Sequence, residues 1–226
     1  MEIKTDGTQT HFGEPTQLFN TTINGFALGG NGHYYLPDLE HGFLFSLDPS
    51  TSRSTLVDSP GDSLSAVVFS NNGNMYVIAC TTGSDYWEAF LNPHPTGYVY
   101  MINVNGVKQS QASGLYFPTH GAFGLNEDYF YVAELHMSRI IRFPVDSSGN
   151  LGTMEIYQVL GNTYDGYQPY GLAFDIEENL FVSLIFRVGI AVVTPQNIQH
   201  TIFEDYNATS KCIDGFIFDF FYRKKN

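Results

Sequence analysis

One short sequence pattern recurs along this chain at nearly constant spacing, and it constrains the fold more than any single residue does. In its fullest copy, three apolar segments follow one another across short turns: Gly171–Phe174, Asn179–Val182 and Gly189–Val193. Five apolar triplets mark the starts of the copies: Phe26-Ala27-Leu28, Val67-Val68-Phe69, Gly121-Ala122-Phe123, Leu172-Ala173-Phe174 and Phe216-Ile217-Phe218. They begin 41, 54, 51 and 44 residues apart. Propeller blades of four strands repeat every 40–50 residues or so, which these spacings match.

The repeat predicts an all-β protein, a β-propeller formed as a single domain by residues 1–226. The last copy stops at Asn226, while the stretch from Met1 to Phe12 resembles the outer half of a blade. We therefore predict five blades, with the ring closed by N-terminal strands that pair with C-terminal strands, because closure removes free sheet edges. A six-bladed ring with a degenerate or missing blade is the alternative.

The amino-acid composition excludes some classes of binding partner. Aromatic residues make up 15% of the chain, as befits packed sheets, and the formal net charge is −13. Because this charge repels polyanions, neither nucleic acid nor an anionic membrane is an expected partner, and no apolar run is long enough to cross a bilayer. A small-molecule substrate is the partner that we predict.

The sequence determines the cellular compartment of the protein and the redox state of its cysteines only in part. The chain begins without a signal peptide, yet it carries two glycosylation sequons, Asn20-Thr21-Thr22 and Asn207-Ala208-Thr209. Both a cytoplasmic and a secreted location therefore stay open. We predict that Cys80 and Cys212 are buried free thiols rather than a disulfide.

Candidate site residues come from the blade geometry. Residues at the starts of the innermost strands gather around the axis at one face: Asn24, Ser65, Thr119, His120, Tyr170 and Asp214. Loops after the second strands open on the same face and carry Glu134, His136 and Arg187. A long insertion from Thr81 to Gly97, which contains Trp87, belongs to this face as well. We interpret the insertion as a lid over a small-molecule pocket.

Three stretches resemble the SMP-30/gluconolactonase/LRE-like propellers, and the one that starts at Asn24-Gly25 is similar to that family's "EGPxW…G.I.R.DP". The segment Phe117-Pro118-Thr119-His120-Gly121-Ala122-Phe123, with Tyr131–Glu134 and Ser138–Phe143 after it, is similar to that family's "FPNGLAFSPD…LYVAD…RIWRFDVDADGNLG". Pro169-Tyr170-Gly171 opens a copy similar to "PDGLAFDxxGNLYVA". The resemblance spans roughly Asn24 to Thr201 and is shared with NHL-repeat propellers, so it specifies the fold better than the activity.

The resemblance implies a divalent metal at the axis, either calcium, zinc or manganese. Family members that hydrolyse lactones hold it with a Glu, an Asn and an Asp. The matching positions here are Asn24, Thr119 (or His120, with a shift of one residue) and Tyr170. A fourth family position, a substrate-contacting Asn, falls near Ser65. The changed residues leave open whether this chain uses a metal.

Three functions follow. The first is a lactone or ester hydrolase, in whose metal-free form His120 is the general base and Asn24, Ser65 and Tyr170 polarise the carbonyl. The second is a metal-independent biosynthetic cyclase or synthase, similar to strictosidine-synthase-type propellers or to pericyclases, with His120 or Glu134 transferring the proton. The third is a non-catalytic propeller that binds a ligand or a protein. Predicted substrate-binding residues are Asn24, Ser65, Thr119, Trp87, His136, Arg187 and Asp214.

Overall fold

The computed structural model describes residues 2–3, 9–10, 21–162 and 166–204. Near the N-terminus, β1 (Glu2–Ile3) pairs antiparallel with β2 (Gln9–Thr10). The fifth copy of the repeat, which starts at Phe216, lies outside the described residues. The predicted closure of the ring by N- and C-terminal strands therefore lies outside them too.

Four antiparallel sheets of four strands make up the rest of the described chain, each a meander in sequence order. Blade 1 contains β3 (Ala27–Leu28), β4 (Tyr34–Pro37), β5 (Leu44–Asp48) and β6 (Arg53–Asp58). Blade 2 contains β7 (Ser63–Phe69), β8 (Met75–Thr81), β9 (Gly97–Ile102) and β10 (Lys108–Leu115). Blade 3 contains β11 (Pro118–Phe123), β12 (Tyr129–Glu134), β13 (Arg139–Pro144) and β14 (Glu155–Val159). Blade 4 contains β15 (Pro169–Phe174), β16 (Leu180–Leu184), β17 (Gly189–Val193) and β18 (Gln199–Glu204).

The core lies between blades rather than within any one of them. Strand β8 shows how: Met75 and Val77 pack toward blade 1, whereas Tyr76 and Ile78 pack toward blade 3. Because alternate side chains of a strand point to opposite faces, a strand covered on both sides has to be apolar at every position. This explains why the second strands are continuous apolar runs instead of alternating ones.

The turns between first and second strands are held by their own polar residues. In blade 4, the Asp175 carboxylate accepts hydrogen bonds from the backbone N–H groups of Glu177 and Asn179, each at 2.9 Å. In blade 2, Asn72 Oδ1 accepts from Asn74 N at 3.2 Å. Asx turns of this kind favour a tight reversal, as the sequence predicted for residues 71–74.

Bulges interrupt the innermost strands near their starts. In β11, Pro118 pairs with Glu134 and His120 with Ala133, so that Thr119 is an additional residue on its strand. Similar register shifts occur in β7 and β15. A bulge redirects the side chains that follow it. The one-residue ambiguity between Thr119 and His120 is therefore a real feature of the backbone.

Two further findings concern the described part of the chain. Cys80 is buried and forms no disulfide, as predicted, and its burial raises the pKa of the thiol to about 12. Cys212 lies outside the described residues. None of the helices described here has the length and apolar character that a bilayer span requires.

Candidate functional site

Polar residues at the axial ends of the innermost strands are connected by hydrogen bonds and, between Pro118 and Thr119, by the chain itself; this set is here called the axial circuit. Asn24 Nδ2 donates to the Ser65 carbonyl oxygen at 3.1 Å, and Ser65 Oγ donates to the Pro118 carbonyl oxygen at 2.9 Å. Thr119 Oγ1 donates to the Tyr170 carbonyl oxygen at 2.8 Å. The Tyr170 hydroxyl donates to Asn24 Oδ1 at 2.5 Å. Four residues that the sequence placed around the axis are thus brought together, and they link all four blades.

The members of the axial circuit differ in how much they can offer a ligand. Ser65 and Thr119 are buried, and both hydroxyls are bonded to backbone carbonyls. A buried hydroxyl without a hydrogen bond would carry a desolvation penalty, so each of these two bonds a carbonyl of the next blade. Both hydroxyls therefore connect blades and are not available to a ligand. Asn24 and Tyr170 are only half-buried, and the bond between them is made by two side chains. They are the members that can exchange this bond for one to a ligand.

His120 lies on β11 directly after the bulge. Thr119 and Gly121 on either side of it are buried, while His120 itself keeps partial exposure. Burial lowers the pKa of His120 to about 4, although a hydrogen bond with the Gly121 backbone opposes the shift. The imidazole is therefore neutral at pH 7, so it can accept a proton but has none to donate as an acid.

Glu134 ends the second strand of blade 3 and is fully buried. Its Oε1 accepts from Tyr116 N at 2.7 Å, and its Oε2 accepts from Arg139 Nε at 2.5 Å. Both oxygens are thus bonded to the chain that enters β11 and to the start of β13. Glu134 therefore holds the segment before β11 against the start of β13. The proton-transfer role that the sequence suggested for it stays a prediction.

The lid (residues 81–97) carries a short helix, α1 (Tyr86–Leu91), which Asp85 caps by accepting a hydrogen bond from Glu88 N at 3.0 Å. Ala89 of α1 is buried in an apolar cluster at the axial face. The cluster draws on four blades and on the lid, and its members are Leu39, Cys80, Ala89, Phe117 and Leu135, with Tyr86, Phe90, Tyr170 and Ile185 packed against them. The lid therefore covers the axial end of the propeller.

Contacts of Phe90 with His136 and Phe117 hold the lid against blade 3. His136 lies in a 3-10 turn, Leu135–Met137, with its Nε2 at 2.9 Å from the Phe90 carbonyl oxygen. The Phe90 ring also contacts Phe117 and Phe186, with centroids 5.5 and 6.0 Å apart. Burial lowers the pKa of His136, and its bond to Phe90 opposes that shift. A neutral imidazole with its proton on Nε2 makes this bond.

The other predicted residues lie further from the axial circuit. Trp87 is 59% exposed and its ring lies 4.7 Å from that of Tyr86, on the outer side of the lid. The Arg187 guanidinium lies 4.1 Å above the Tyr167 ring, in the loop between β16 and β17. Asp214 lies outside the described residues.

Asp38 lies in a loop that the sequence placed on the axial face, although it was not chosen as a site residue. It is fully buried after the second strand of blade 1, and it accepts hydrogen bonds from Thr22 N at 3.2 Å and Glu40 N at 3.0 Å. Its Oδ2 lies 3.1 Å from His41 Nδ1. Asp38 and Glu134 lie at the ends of the second strands of their blades, as the sequence predicted, and both carboxylates are fully buried.

Among the described residues, those at the axis do not fit the divalent metal that the resemblance implies. The three matching positions offer an amide, a hydroxyl or imidazole, and a phenol, without a carboxylate, and the axial circuit bonds most of these groups to one another. Calcium and similar hard cations are held chiefly by carboxylate and carbonyl oxygens. In the described part of the chain, no three His, Cys, Asp or Glu side chains converge in a way that could hold a metal ion.

No protein-family model matches this sequence, and no curated protein matches it in sequence either. Solved structures do match its fold. Regucalcin from Agrobacterium tumefaciens, a calcium-binding protein, has a TM-score of 0.66 at 15% identity, over 80% of this chain and 59% of its own. A gluconolactonase from Xanthomonas campestris has a TM-score of 0.63 at 17% identity, over 81% and 62%. Virginiamycin B lyase from Staphylococcus aureus has a TM-score of 0.60 at 13% identity, over 83% and 57%.

This chain thus spans about three fifths of the length of those three proteins. At such identities the likeness concerns the fold alone. The predicted β-propeller is confirmed, and its architecture is that of the gluconolactonase, regucalcin and virginiamycin B lyase propellers.

Proposed function

We propose that this protein is a metal-independent enzyme that opens a small lactone or a related activated ester at the axial site. The observation that carries the proposal is the bond between the Tyr170 hydroxyl and Asn24 Oδ1, made by two half-buried side chains on the face that the lid covers. The neutral His120 lies on the adjacent innermost strand. The fold that this chain shares with a gluconolactonase is compatible with this reaction type.

Each residue has a task in this scheme. The substrate carbonyl oxygen replaces Asn24 Oδ1 as the acceptor of the Tyr170 hydroxyl, and the Asn24 amide orients the ester. His120 accepts a proton from the water that attacks the carbonyl carbon. Tyr170 then stabilises the oxyanion of the tetrahedral intermediate. When the ring C–O bond breaks, the protonated His120 returns its proton to the leaving alkoxide, so that water and lactone give a hydroxy acid.

The low pKa of His120 restricts the substrate. A base with a pKa of about 4 is weak, so the carbonyl has to be electrophilic by itself, as in strained lactones and aryl esters rather than amides. The apolar cluster beneath α1, which includes Phe90 and Phe117, favours a substrate with an apolar body.

The aromatic cluster also favours a second candidate, a metal-independent synthase or cyclase. In that case Tyr170 and the lid position the reactants and His120 moves a proton. A non-catalytic binding propeller is the outcome that remains if neither reaction occurs.

Hydrolysis assays test the proposal. We expect the protein to open dihydrocoumarin, δ-valerolactone or p-nitrophenyl acetate in excess EDTA, followed with a pH indicator or by released nitrophenol. His120→Gln and Tyr170→Phe should each lower kcat/KM by about 100-fold, the lower range for a lost proton-transfer group. His200→Gln and Tyr35→Phe, which change the same residue types outside the axial site, should stay near the wild-type rate.

Three results would contradict the proposal: no hydrolysis of the panel above background, equal rates in all four variants, or a rate that EDTA removes and manganese restores. Circular dichroism of each variant shows whether the fold is intact, which separates a lost catalytic group from a lost structure.

A further inference from the structure

A concave site lies between blades 3 and 4, at the end of the propeller opposite the lid. This turn-end cleft has a volume of about 260 Å³ and lies beside the turns that join β11 to β12 and β15 to β16. The lining residues that matter here are Asp128, Tyr129, Tyr131, Arg142, Tyr157 and Glu178. The cleft shares no residue with the axial circuit or the lid.

Aromatic rings and a guanidinium form the floor of the cleft. Arg142 lies 4.1 Å above the centroid of Tyr129 and 5.4 Å from that of Tyr157. Its Nε donates to Glu155 Oε2 at 2.9 Å, and the guanidinium also bonds to the Tyr131 hydroxyl. The Tyr131 ring meets that of Tyr157 edge to face at 4.9 Å. The arginine is therefore fixed in position, since ring faces and hydrogen bonds hold it together.

Acidic groups complete the lining. Asp128 and Glu178 lie on the two turns that flank the cleft. Burial is the main reason why the pKa of Tyr157 is raised, and the carboxylate of Glu178 adds to the rise, which places its charge near the ring. The cleft thus presents both signs of charge around an aromatic floor.

The turns that carry these acids are preorganised. Glu127 N donates to the Gly124 carbonyl oxygen at 2.9 Å, and Glu178 N donates to the Asp175 carbonyl oxygen at 3.2 Å. Asp175 also accepts from Asn179 N at 2.9 Å. A ligand that binds here does not have to order a loose loop, so less of its binding free energy is lost.

We propose that the turn-end cleft binds a neutral sugar ring. Arg142 already supplies the cation of the aromatic floor, which disfavours a cationic ligand, and Asp128 and Glu178 repel an anionic one. Sugar hydroxyls can accept from a guanidinium and donate to carboxylates, while the C–H groups of the ring pack on tyrosines. The volume suits one ring, because pockets for larger drug-sized ligands start near 300 Å³.

Titration with neutral sugars, followed by ¹H–¹⁵N NMR on the full chain, tests this inference. The probes are methyl α-glucoside, methyl β-galactoside, maltose and cellobiose, up to about 50 mM, well above the millimolar dissociation constants of weak sites. We expect saturable shifts in the amides of residues 124–128 and 174–178 with at least one probe. Glu178→Gln keeps an acceptor oxygen but loses its charge, and it should weaken that binding about fivefold, because hydrogen bonds to a charged acceptor are the stronger ones.

Glu177→Gln is the matched control, because Glu177 lies on the same turn, is exposed and does not line the cleft. It should leave the dissociation constant unchanged, and so should His120→Gln, which separates this site from the axial one. The inference is overturned if no probe gives saturable shifts, if Glu178→Gln and Glu177→Gln bind alike, or if choline or benzoate binds more tightly than every sugar.

Discussion

The two ends of this propeller handle their polar residues in opposite ways. At the lid end, Ser65, Thr119 and Glu134 are buried and bonded within the protein. At the turn end, Asp128 and Glu178 remain exposed beside an aromatic floor. Most of the described polar groups near the axis thus contribute to holding blades together, whereas Asn24, His120 and Tyr170 keep partial exposure and can act on a ligand.

The difference follows from geometry. Inner strands converge at the axis, so that a polar side chain there meets the backbone of the next blade and has to satisfy its carbonyls. Turns at the other end diverge into solvent, where charged side chains stay hydrated and unburied. Four changes would break or sharpen this comparison.

The largest effect is expected at the buried ion pair. Glu134→Ala leaves Arg139 without its carboxylate and Tyr116 N without an acceptor, and it should lower the free energy of unfolding by about 3–5 kcal/mol. Glu155→Ala removes the partner of Arg142 at the turn end, where both side chains are more exposed, and should cost about 0–1 kcal/mol. Urea unfolding of both variants measures the difference, and equal losses would contradict the contrast.

The next largest effect is expected at Gly121, where the neighbouring side chains leave no room for a Cβ atom. A Cβ at Gly121 would lie 2.5 Å from Phe130 Cζ and 2.8 Å from Ile78 Cδ1. Gly121→Ala should therefore destabilise the protein by about 1–3 kcal/mol through overpacking between blades 2 and 3. Gly124→Ala, three residues on, meets its nearest atom at 3.5 Å and should change the melting temperature little. A stable Gly121→Ala variant would show that this interface can relax.

The histidines at the lid end predict a dependence on pH. The folded state holds His120 neutral down to a pKa of about 4, whereas the unfolded chain takes up the proton near the ordinary value of 6.5. The unfolded state thus binds more protons between these values, and stability is complete above pH 6.5 and falls as the pH drops toward 4.

His120→Gln should remove part of that slope, about 1–2 kcal/mol across the window, because partial exposure of His120 reduces the full effect. Urea midpoints of both proteins at four pH values check this. Identical slopes would mean that His120 is hydrated and titrates normally.

The smallest effect is expected in the axial circuit itself. Tyr170→Phe removes the hydroxyl bonded to Asn24 and should cost about 1 kcal/mol, a typical net value for one hydrogen bond. A double-mutant cycle with Asn24→Ala should return a coupling energy of similar size. A coupling energy near zero would show that the two side chains do not interact in solution.

Much of the fold was predictable because short sequence segments determine its strands and turns. The repeated triplets at Phe26, Val67, Gly121 and Leu172 predicted the number and order of the described blades. A turn such as residues 71–74 formed as expected because its own side chains hold it. The lid was also visible in the sequence, as an aromatic insertion too long for an ordinary connection, though not the helix that it contains.

The site was predictable only in outline. Spacing within the repeat brought Asn24, Ser65, Thr119 and Tyr170 to one place, since equivalent positions of a propeller meet at the axis. Three features could not be predicted in this way, because each depends on contacts between different strands or blades. They are the hydrogen bonds among these four residues, the burial of Asp38, and the stacking of Arg142 on Tyr129. Sequence periodicity determined the strands, their order and the face that each residue occupies. Tertiary structure decided which polar groups remained available to a ligand, because burial and partner choice depend on contacts between distant parts of the chain.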